Sequence, residues 1–205
     1  MKLSHDAIVT AALRLIDQHG LAEFSTRKLG AALDCEAMAV YWHFPSKDAL
    51  LDAVVDKLMA SITIGTGHWI DVLRTVAHAY RAIAHAHPKA FPLLATRRFA
   101  SAGSYAFMEQ LFELAHAEGI PDAVAARYYR IVSSYCNGFA LHELATPPGP
   151  RTPALRRKLA RVTAVSEWLE PEHLDDIFEH GLEIQLAELA KERGLGRRSR
   201  ATGSR

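Results

Sequence analysis

Apolar residues recur every three or four positions along most of this chain, which is the spacing of an amphipathic α-helix. A first stripe lies between Ser4, a residue type that caps helices, and Gly20, a residue type that ends them. Further stripes predict longer helices over residues 69–86, 104–118, 122–145 and 171–193. No alternating strand pattern and no internal repeat stands out. The pattern therefore predicts an all-α protein.

Between residues 24 and 51 the apolar spacing supports only two very short helices, of about seven or eight residues each. Isolated helices below roughly 12 to 15 residues are marginal in water, so packing must hold these two. Ser25 can cap the first, and a tight turn at Asp34 and Cys35 leads to the second, over about 37–43. This arrangement predicts a helix-turn-helix, whose second helix enters the major groove of DNA.

The next helix and a pair of glycines predict the domain organisation. Ser46 can begin a fourth helix that completes a small bundle with the first three, and Gly65 and Gly67 then interrupt the chain. The fourth helix therefore joins a helix-turn-helix domain to a second helical domain. The predicted segments are a DNA-binding domain over 1–64, the second domain over 65–193, and a basic, disordered tail over 194–205.

The helices predicted over 122–145 and 171–193 are apolar over most of their circumference. Such helices are buried on more than one side, so each is expected to pack on its own core and on a second copy of the chain. Two helices from each protomer would form a four-helix bundle around a two-fold axis. The residues predicted for this homodimer interface are Val124, Tyr128, Ile131, Ile177, Phe178, Gly181, Leu182, Ile184 and Leu189.

Composition narrows the class of protein. With 205 residues, 49% of them hydrophobic, the chain can bury a real core, and its net charge of +1 says nothing about a nucleic-acid partner. Residues 1–64 carry six cations and eight anions, a net charge of −2. Because counterion release by cations that contact phosphate supplies most of the affinity for DNA, these cations must be positioned rather than abundant.

The two cysteines, Cys35 and Cys136, form no C-x-x-C motif, which excludes a disulfide framework and a zinc finger. No signal-peptide pattern and no apolar run of roughly 18 residues occurs, so we expect a cytoplasmic protein with no membrane partner.

The stretch V-Y-W-H-F-P-S-K-D-A-L-L-D-A-V at residues 40–54 resembles the signature of the TetR family of bacterial transcriptional regulators. The resemblance covers helix 1 and residues 24–58, and F-E-H-G-L-E-I-Q-L at 178–186 is similar to the last helix of the tetracycline-repressor branch. It implies a homodimeric DNA-binding protein, usually a repressor. Such a repressor leaves its near-palindromic, double-stranded operator when a small molecule binds in the C-terminal domain.

The resemblance also implies, position by position, which residues meet DNA. Arginine can pair with guanine, alanine and methionine can touch a thymine methyl group, and tyrosine and lysine suit phosphate oxygens. The implied contacts are Thr26, Arg27 and Lys28 around the start of helix 2, Ala37, Met38, Ala39, Tyr41, Trp42 and His43 on the recognition helix, and Lys47 at the start of helix 4.

Three residues depart from the family pattern. Asp34 stands where a glycine is usual, at a position expected to need a positive φ. Glu36 stands where a serine or threonine often caps the recognition helix, which weakens the cap. Gly30 replaces the usual alanine and is expected to allow close helix packing, at a cost of about 1 kcal/mol in helix propensity.

A regulator of this kind needs a cavity for a small apolar or aromatic effector. The aromatic and polar residues on inward stripes of the second domain are the candidates, although core packing explains each of them at least as well. The predicted lining residues are His78, Arg81, Phe91, Tyr105, Met108, Phe112, Tyr128, Tyr135, Asn137 and Phe139. The drug-binding His and Asn of tetracycline repressors have no evident equivalents here, so tetracycline itself is not expected.

Two other classes stay open: a helix-turn-helix regulator or adaptor without a small-molecule ligand, and a His-rich metal-binding all-α protein. The pairs His78/His85 and His173/His180 are each seven residues apart, about 10 Å along a helix axis. That distance is too long for two ligands of one ion at about 2 Å each. No H-E-x-x-H, G-x-S-x-G or Walker motif occurs, so we expect no enzyme, no metal and no cofactor.

Overall fold

The computed structural model describes residues 3–97, 101–145, 152–166, 168 and 170–202, with the side chains of 193–202 excepted. Every regular element in these ranges is helical, which confirms the all-α prediction. The α-helices are α1 His5–His19, α2 Thr26–Ala32, α3 Ala37–Tyr41, α4 Lys47–Met59, α5 Trp69–Ala86, α6 Phe91–Arg97, α7 Ala102–Ala117, α8 Asp122–Glu143, α9 Pro153–Lys158, α10 Ala160–Ser166 and α11 Leu174–Thr202. Short 3-10 turns occupy Leu21–Glu23 and Pro171–His173.

The chain forms two compact units, residues 1–125 and 126–205. The linker with Gly65 and Gly67, where the sequence predicts a domain boundary, lies within the first unit, and the boundary stays a prediction. None of the helices in the described ranges is long and apolar enough to cross a membrane.

In the first unit, α1 begins and ends at the residues that its sequence predicts. The Ser4 hydroxyl accepts a hydrogen bond from the backbone N–H of Ala7 at 3.2 Å, and Gly20 ends the helix with φ at 84°. The apolar stripe of α1 is buried at Ile8 and Ile16, both completely. One face of α1 therefore forms the base on which the short helices can pack.

The fourth helix is the hub of the first unit. The Ser46 hydroxyl caps α4 by accepting from the N–H of Ala49 at 3.0 Å, and the helix contacts α1, α6 and α7. Leu50, Val54 and Val55 on α4 have no solvent exposure. Because it packs on the helix-turn-helix on one side and on α6 and α7 on the other, α4 connects the two parts of this unit.

Helices α5 to α7 bury aromatic side chains. The ring of Trp69 at the start of α5 is fully buried, and its backbone N–H donates to Glu118 Oε1 at 2.5 Å. Further along α5, Tyr80 meets the Phe91 ring edge to face, with 5.3 Å between ring centroids. These contacts fix α5 against the start of α6 and the end of α7, both of which follow it in the chain.

In the second unit, Leu159 separates the short helices α9 and α10. The last helix runs on past Arg193 to Thr202, whereas the sequence predicts a disordered tail. Arginine, leucine and alanine are good helix formers, and between Gly194 and Thr202 they favour continuation of the helix over its end.

Candidate functional site

The recognition helix α3 is held by one side and open on the other. Val40 is 1% exposed and anchors it in the core, whereas Met38 is 63% exposed and Trp42, just after the helix, is 86% exposed. Tyr41 is also exposed. A large apolar side chain in water loses the free energy that burial would supply, so side chains placed in this way commonly mark a binding surface.

The turn between α2 and α3 has the geometry that its unusual residues predict. Asp34 has a φ of 53°, which confirms the positive φ expected there. A β-carbon at position 30 would lie 2.7 Å from the backbone oxygen of Cys35 and 3.1 Å from the backbone nitrogen of Ala37. Gly30 is therefore required for the close approach of the two helices, as predicted. Glu36 makes no side-chain capping bond to α3, so that cap is weak, also as predicted.

The start of α2 carries three of the predicted DNA contacts. Ser25 caps it by accepting from the N–H of Lys28 at 3.2 Å, and the Thr26 hydroxyl lies 3.3 Å from that of Tyr41. Lys28 Nζ is 2.8 Å from Glu23, and this hydrogen bond and charge hold the pKa of Glu23 below its ordinary value. Arg27 is exposed beside them.

Lys47, at the start of α4, is anchored through its own ammonium group. Lys47 Nζ donates to the backbone oxygen of Phe24 at 3.0 Å and lies 5.5 Å from the centroid of the Phe24 ring. An ammonium group has three donors, so two remain for a phosphate. Nearby, the His43 ring packs edge to face against His5 at 5.2 Å. Lys47 is thus oriented by the segment that leads into α2.

Sequence reasoning missed an acidic row on α4 and its partners. Arg97 lies 2.8 Å from Asp52 and 3.1 Å from Asp48, and the Ser101 hydroxyl donates to Asp56 Oδ1. The spacing of the three aspartates at every fourth position was visible in the sequence. Nothing in the spacing of a single arginine and a single serine indicates that they would bind this row.

A cavity of about 260 Å³ lies between α4 and α7 in the first unit. Most of its lining is apolar, with a carboxylate from α4 and an amide from α7 as the polar groups. The lining residues are Asp56, Met59, Ala60, Ile62, Ile64, Gly103, Ala106, Phe107 and Gln110. None of the ten residues predicted to contact a ligand is among them.

The ten predicted ligand residues divide between the two units. His78, Arg81, Phe91, Tyr105, Met108 and Phe112 belong to the first unit, and Tyr128, Tyr135, Asn137 and Phe139 to the second. Arg81, Phe91 and Tyr128 are buried, His78 and Tyr105 are exposed, and the others are half-buried. Phe139 and Tyr135 pack with Phe178, and the Tyr135 hydroxyl donates to the backbone oxygen of Phe178 at 2.9 Å. Their assignment to a ligand stays a prediction.

The predicted dimerisation residues fall into two groups. One group is enclosed by its own chain: Phe178, Leu182, Leu189 and Tyr128 are buried, and Gly181 lies directly against the Tyr135 ring. The other group is open, with Ile184 58% exposed and Ile131 and Ile177 also exposed, while Val124 is half-buried. The two stripes of α11 thus have different roles, the first as core and the second as an accessible face.

The residues that the structure describes contain no group of three or more His, Cys, Asp or Glu side chains that could hold a metal ion. His87, for example, pairs with Asp17 at 2.8 Å. His173 packs against the Trp168 ring.

A capped helix, a tight turn and a five-residue helix exposed to solvent follow one another in the chain. This arrangement defines a helix-turn-helix regulatory protein. The family model for bacterial regulatory proteins of the tetR family matches residues 8–54, and that for the tetracyclin repressor-like C-terminal domain matches 63–193. The chain therefore belongs to the TetR family, and the resemblance drawn from its sequence is confirmed.

Individual relatives agree with this assignment. The chain is 31% identical to an HTH-type transcriptional regulator from Saccharopolyspora erythraea over 140 residues, 66% of this chain and 59% of that protein. It is 26% identical to the class G tetracycline repressor from Vibrio anguillarum, over 91% of this chain and 93% of that one. The solved structure of BioQ with its natural double-stranded DNA operator has a TM-score of 0.67 and 26% identity, covering 93% of this chain and 99% of that one.

Proposed function

We propose that this chain is a DNA-binding transcriptional regulator that acts as a homodimeric repressor and leaves its operator when a small molecule binds. The observation that carries this proposal is the orientation of α3. Val40 fixes the helix in the bundle, while Met38 and Trp42 face solvent. The solved relative BioQ, which is 26% identical over nearly the whole chain, has been crystallised with its operator.

Sequence recognition is assigned to the start of α2 and to α3. Ala37, Met38 and Ala39 present methyl and thioether groups that can contact the methyl group of thymine, and Arg27 can pair with guanine. In a two-fold dimer, two such helices enter successive major grooves roughly 34 to 36 Å apart. The operator is therefore expected to be a near-palindrome.

Affinity is assigned to a few cations that the fold orients. The segment 1–64 is net negative, so general attraction to DNA is weak and each contact must be well placed. Lys47 meets this requirement because its bond to the Phe24 carbonyl fixes its direction before DNA arrives. Tyr41 is positioned in the same way, through its hydroxyl contact with Thr26.

Release by a ligand is assigned to the cavity between α4 and α7. Two helices, α4 and α7, border this cavity. Of these, α4 also packs on α1 of the helix-turn-helix domain. A molecule that changes the α4–α7 contact would therefore bias the position of the DNA-binding segment. By reciprocity, operator DNA would weaken the binding of that molecule by the same factor. A relative that is 26% identical over 91% of this chain is named a class G tetracycline repressor.

We also propose the division of labour between a DNA-binding segment over 1–64 and a ligand-binding and dimerisation segment over 65–193. The two matched family models support it, since one ends at residue 54 and the other begins at residue 63.

The experiment is fluorescence anisotropy with DNA from the region flanking the protein's own gene. Wild-type protein should bind one fragment in preference to an unrelated fragment of equal length. Lys47→Ala should weaken binding to both fragments and lower the salt slope by about 1, whereas Arg27→Ala should relax the preference. Lys191→Ala, which removes an exposed cation on α11, is the matched control and should change neither quantity. Equal binding to both fragments by wild-type protein would overturn the proposal.

A further inference from the structure

The cavity between α4 and α7 has one charged group among its described lining residues, the carboxylate of Asp56. Apart from the Gln110 amide, the wall around it is apolar, with Met59, Ile62 and Phe107 as its largest apolar members. Building on the proposed function, we propose that Asp56 is the polar anchor of this cavity. It selects effectors that combine a small apolar body with a protonated amine.

Two buried serines hold the carboxylate in a fixed direction. The Ser101 hydroxyl donates to Asp56 Oδ1, and it also accepts the backbone N–H of Ser104 at 3.2 Å. Ser101 is 9% exposed and Ser104 is 2% exposed. An ionised carboxylate can accept about four hydrogen bonds, and the Ser101 hydroxyl uses one of these positions. The carboxylate is thus oriented and still able to accept from a ligand.

Gly103 has no side chain, and this leaves room for the Asp56 carboxylate in the cavity wall. A β-carbon there would lie 2.6 Å from Asp56 Oδ1 and 2.8 Å from its Cγ. Helix α7 can start against the carboxylate only because Gly103 leaves this space. The 16-residue helix then directs its N-terminal end, which carries partial positive charge, towards Asp56.

The basic side chains of α4 and α6 that lie near Asp56 in sequence or in space form ion pairs with other carboxylates. Lys57 is 2.7 Å from Asp6, and Arg97 pairs with Asp52 and Asp48. The described lining of the cavity contains no Lys, Arg or His. A ligand that enters therefore meets a negative charge that no basic side chain of the lining offsets.

This charge sets the chemical class of ligand. A protonated amine next to a carboxylate in partly apolar surroundings forms a charge-assisted hydrogen bond, which is stronger than a neutral one. A carboxylate ligand of the same shape would be repelled, and a wholly apolar ligand would strip water from Asp56 without replacing its hydrogen bonds. The cavity volume of about 260 Å³ is at the small end of ligand sites and suits a single fused-ring body.

The same contact explains how binding would reach DNA. A protonated amine that bonds Asp56 offsets the charge of the carboxylate and so weakens the charge-assisted hydrogen bond from the Ser101 hydroxyl, which joins α4 to the start of α7. Weakening that hydrogen bond frees α4 from one of its two groups of partners. Amine binding and operator binding should therefore oppose each other.

The test compares three probes with one ring system: 2-naphthylmethylamine, 2-naphthylmethanol and 2-naphthoic acid. Affinity is measured by isothermal titration calorimetry on the full chain. The amine should bind roughly tenfold or more tightly than the alcohol, and the acid should bind most weakly. In Asp56→Asn, which keeps an oxygen acceptor for Ser101, the amine should lose roughly tenfold in affinity while the alcohol changes by less than about threefold. Phe107→Ala should weaken all three probes together.

Anisotropy with operator DNA separates this inference from the proposed function. Asp56→Asn should still bind the operator, and the amine should release wild-type protein at lower concentration than it releases the variant. If the acid binds as well as the amine, or if Asp56→Asn leaves the amine unaffected, the role of Asp56 is wrong while the regulator can still bind DNA. If wild-type protein binds no operator at all, the proposed function fails independently of the probes.

Discussion

Arg97 at the end of α6 and Asp52 on α4 form an ion pair at 2.8 Å, with both side chains only about a quarter exposed. Burial alone would lower the pKa of Arg97, but Asp52 and Asp48 together raise it, so the guanidinium stays charged. The pair joins a helix of the DNA-binding bundle to a helix outside it. It also offsets part of the negative charge of Asp48 and Asp52 on the helix that begins at Lys47, which is expected to meet phosphate.

We expect Arg97→Ala to weaken operator binding and to make that binding less sensitive to salt, because Asp48 and Asp52 would then repel phosphate and added salt screens this repulsion. A double-mutant cycle with Asp52→Asn should give a coupling energy of about 1 kcal/mol in urea unfolding. The exposed pair Lys191–Glu188, at 3.0 Å, is the control and should give a few tenths at most. Equal coupling in the two cycles would show that the Arg97 pair is an ordinary surface contact.

Gly30→Ala should destabilise the helix-turn-helix. A β-carbon would meet the Cys35 backbone oxygen at 2.7 Å, and backbone atoms cannot turn aside as a side chain can. The strain, about 1–3 kcal/mol, should exceed the gain in helix propensity of about 1 kcal/mol. Gly65→Ala, in a loop position with nothing within 4 Å, should leave stability unchanged or raise it by about 0.5 kcal/mol. Thermal unfolding followed by circular dichroism measures both, and a stabilised Gly30→Ala would refute the close-packing argument.

Much of the helix-turn-helix domain could be predicted from the sequence, because the residues that determine each element lie close together in the chain. Ser4, Ser25 and Ser46 cap the helices that they precede, and a cap needs only the right side chain at one position. The positive φ of Asp34 is expected because it stands where the family usually has a glycine. The ties from Arg97 and Ser101 to α4 could not be read, since they join residues 45 positions apart that no periodic pattern relates.

The accessible stripe of α11 should mediate dimerisation. Ile184→Asp places a charge on a side chain that is 58% exposed in the single chain, so it should dissociate a dimer while leaving the fold intact. Leu182→Ala removes a fully buried side chain and should cost about 2–5 kcal/mol of stability. Sedimentation equilibrium together with thermal unfolding distinguishes the two effects. A wild-type chain that sediments as a monomer at micromolar concentration would remove the basis of the prediction.

Alkaline pH should reveal the buried contact of Tyr128 with Glu192. Burial, followed by the hydrogen bond to Glu192 at 3.0 Å, raises the pKa of Tyr128 above its ordinary value near 10. Because the folded-state pKa is the higher one, the contribution to stability is complete below about pH 10 and is lost as the pH rises through the folded-state pKa. The free energy of unfolding should therefore fall more steeply above pH 10 in wild-type protein than in Tyr128→Phe. Parallel curves would place the tyrosinate in solvent.

The two stripes of α11 show why the predicted dimer interface contains both buried and exposed residues. From sequence, Phe178, Leu182 and Leu189 are as apolar as Ile177 and Ile184, and helical spacing says only which residues share a face. Which face the chain covers itself depends on α8, whose Tyr135 ring occupies the space beside Gly181. That contact joins residues 46 positions apart. The same reasoning applies to the predicted ligand residues, since an aromatic side chain on an inward face fits a core as readily as a cavity wall.

Asp48, Asp52 and Asp56 occupy successive turns of α4, so their row extends over eight residues, about 12 Å along the axis. Asp48, at one end of this row, is next to Lys47, and Asp56, at the other end, forms part of the contact with α7. An α-helix two turns long is stiff, and a tilt of about 5° at one end carries the other through roughly 1 Å. A hydrogen bond to phosphate does not survive a lengthening of roughly 1 Å. If Lys47 holds a phosphate as proposed, a small shift of α4 at its hydrogen bond with Ser101 is therefore enough to break that contact at the other end of the helix.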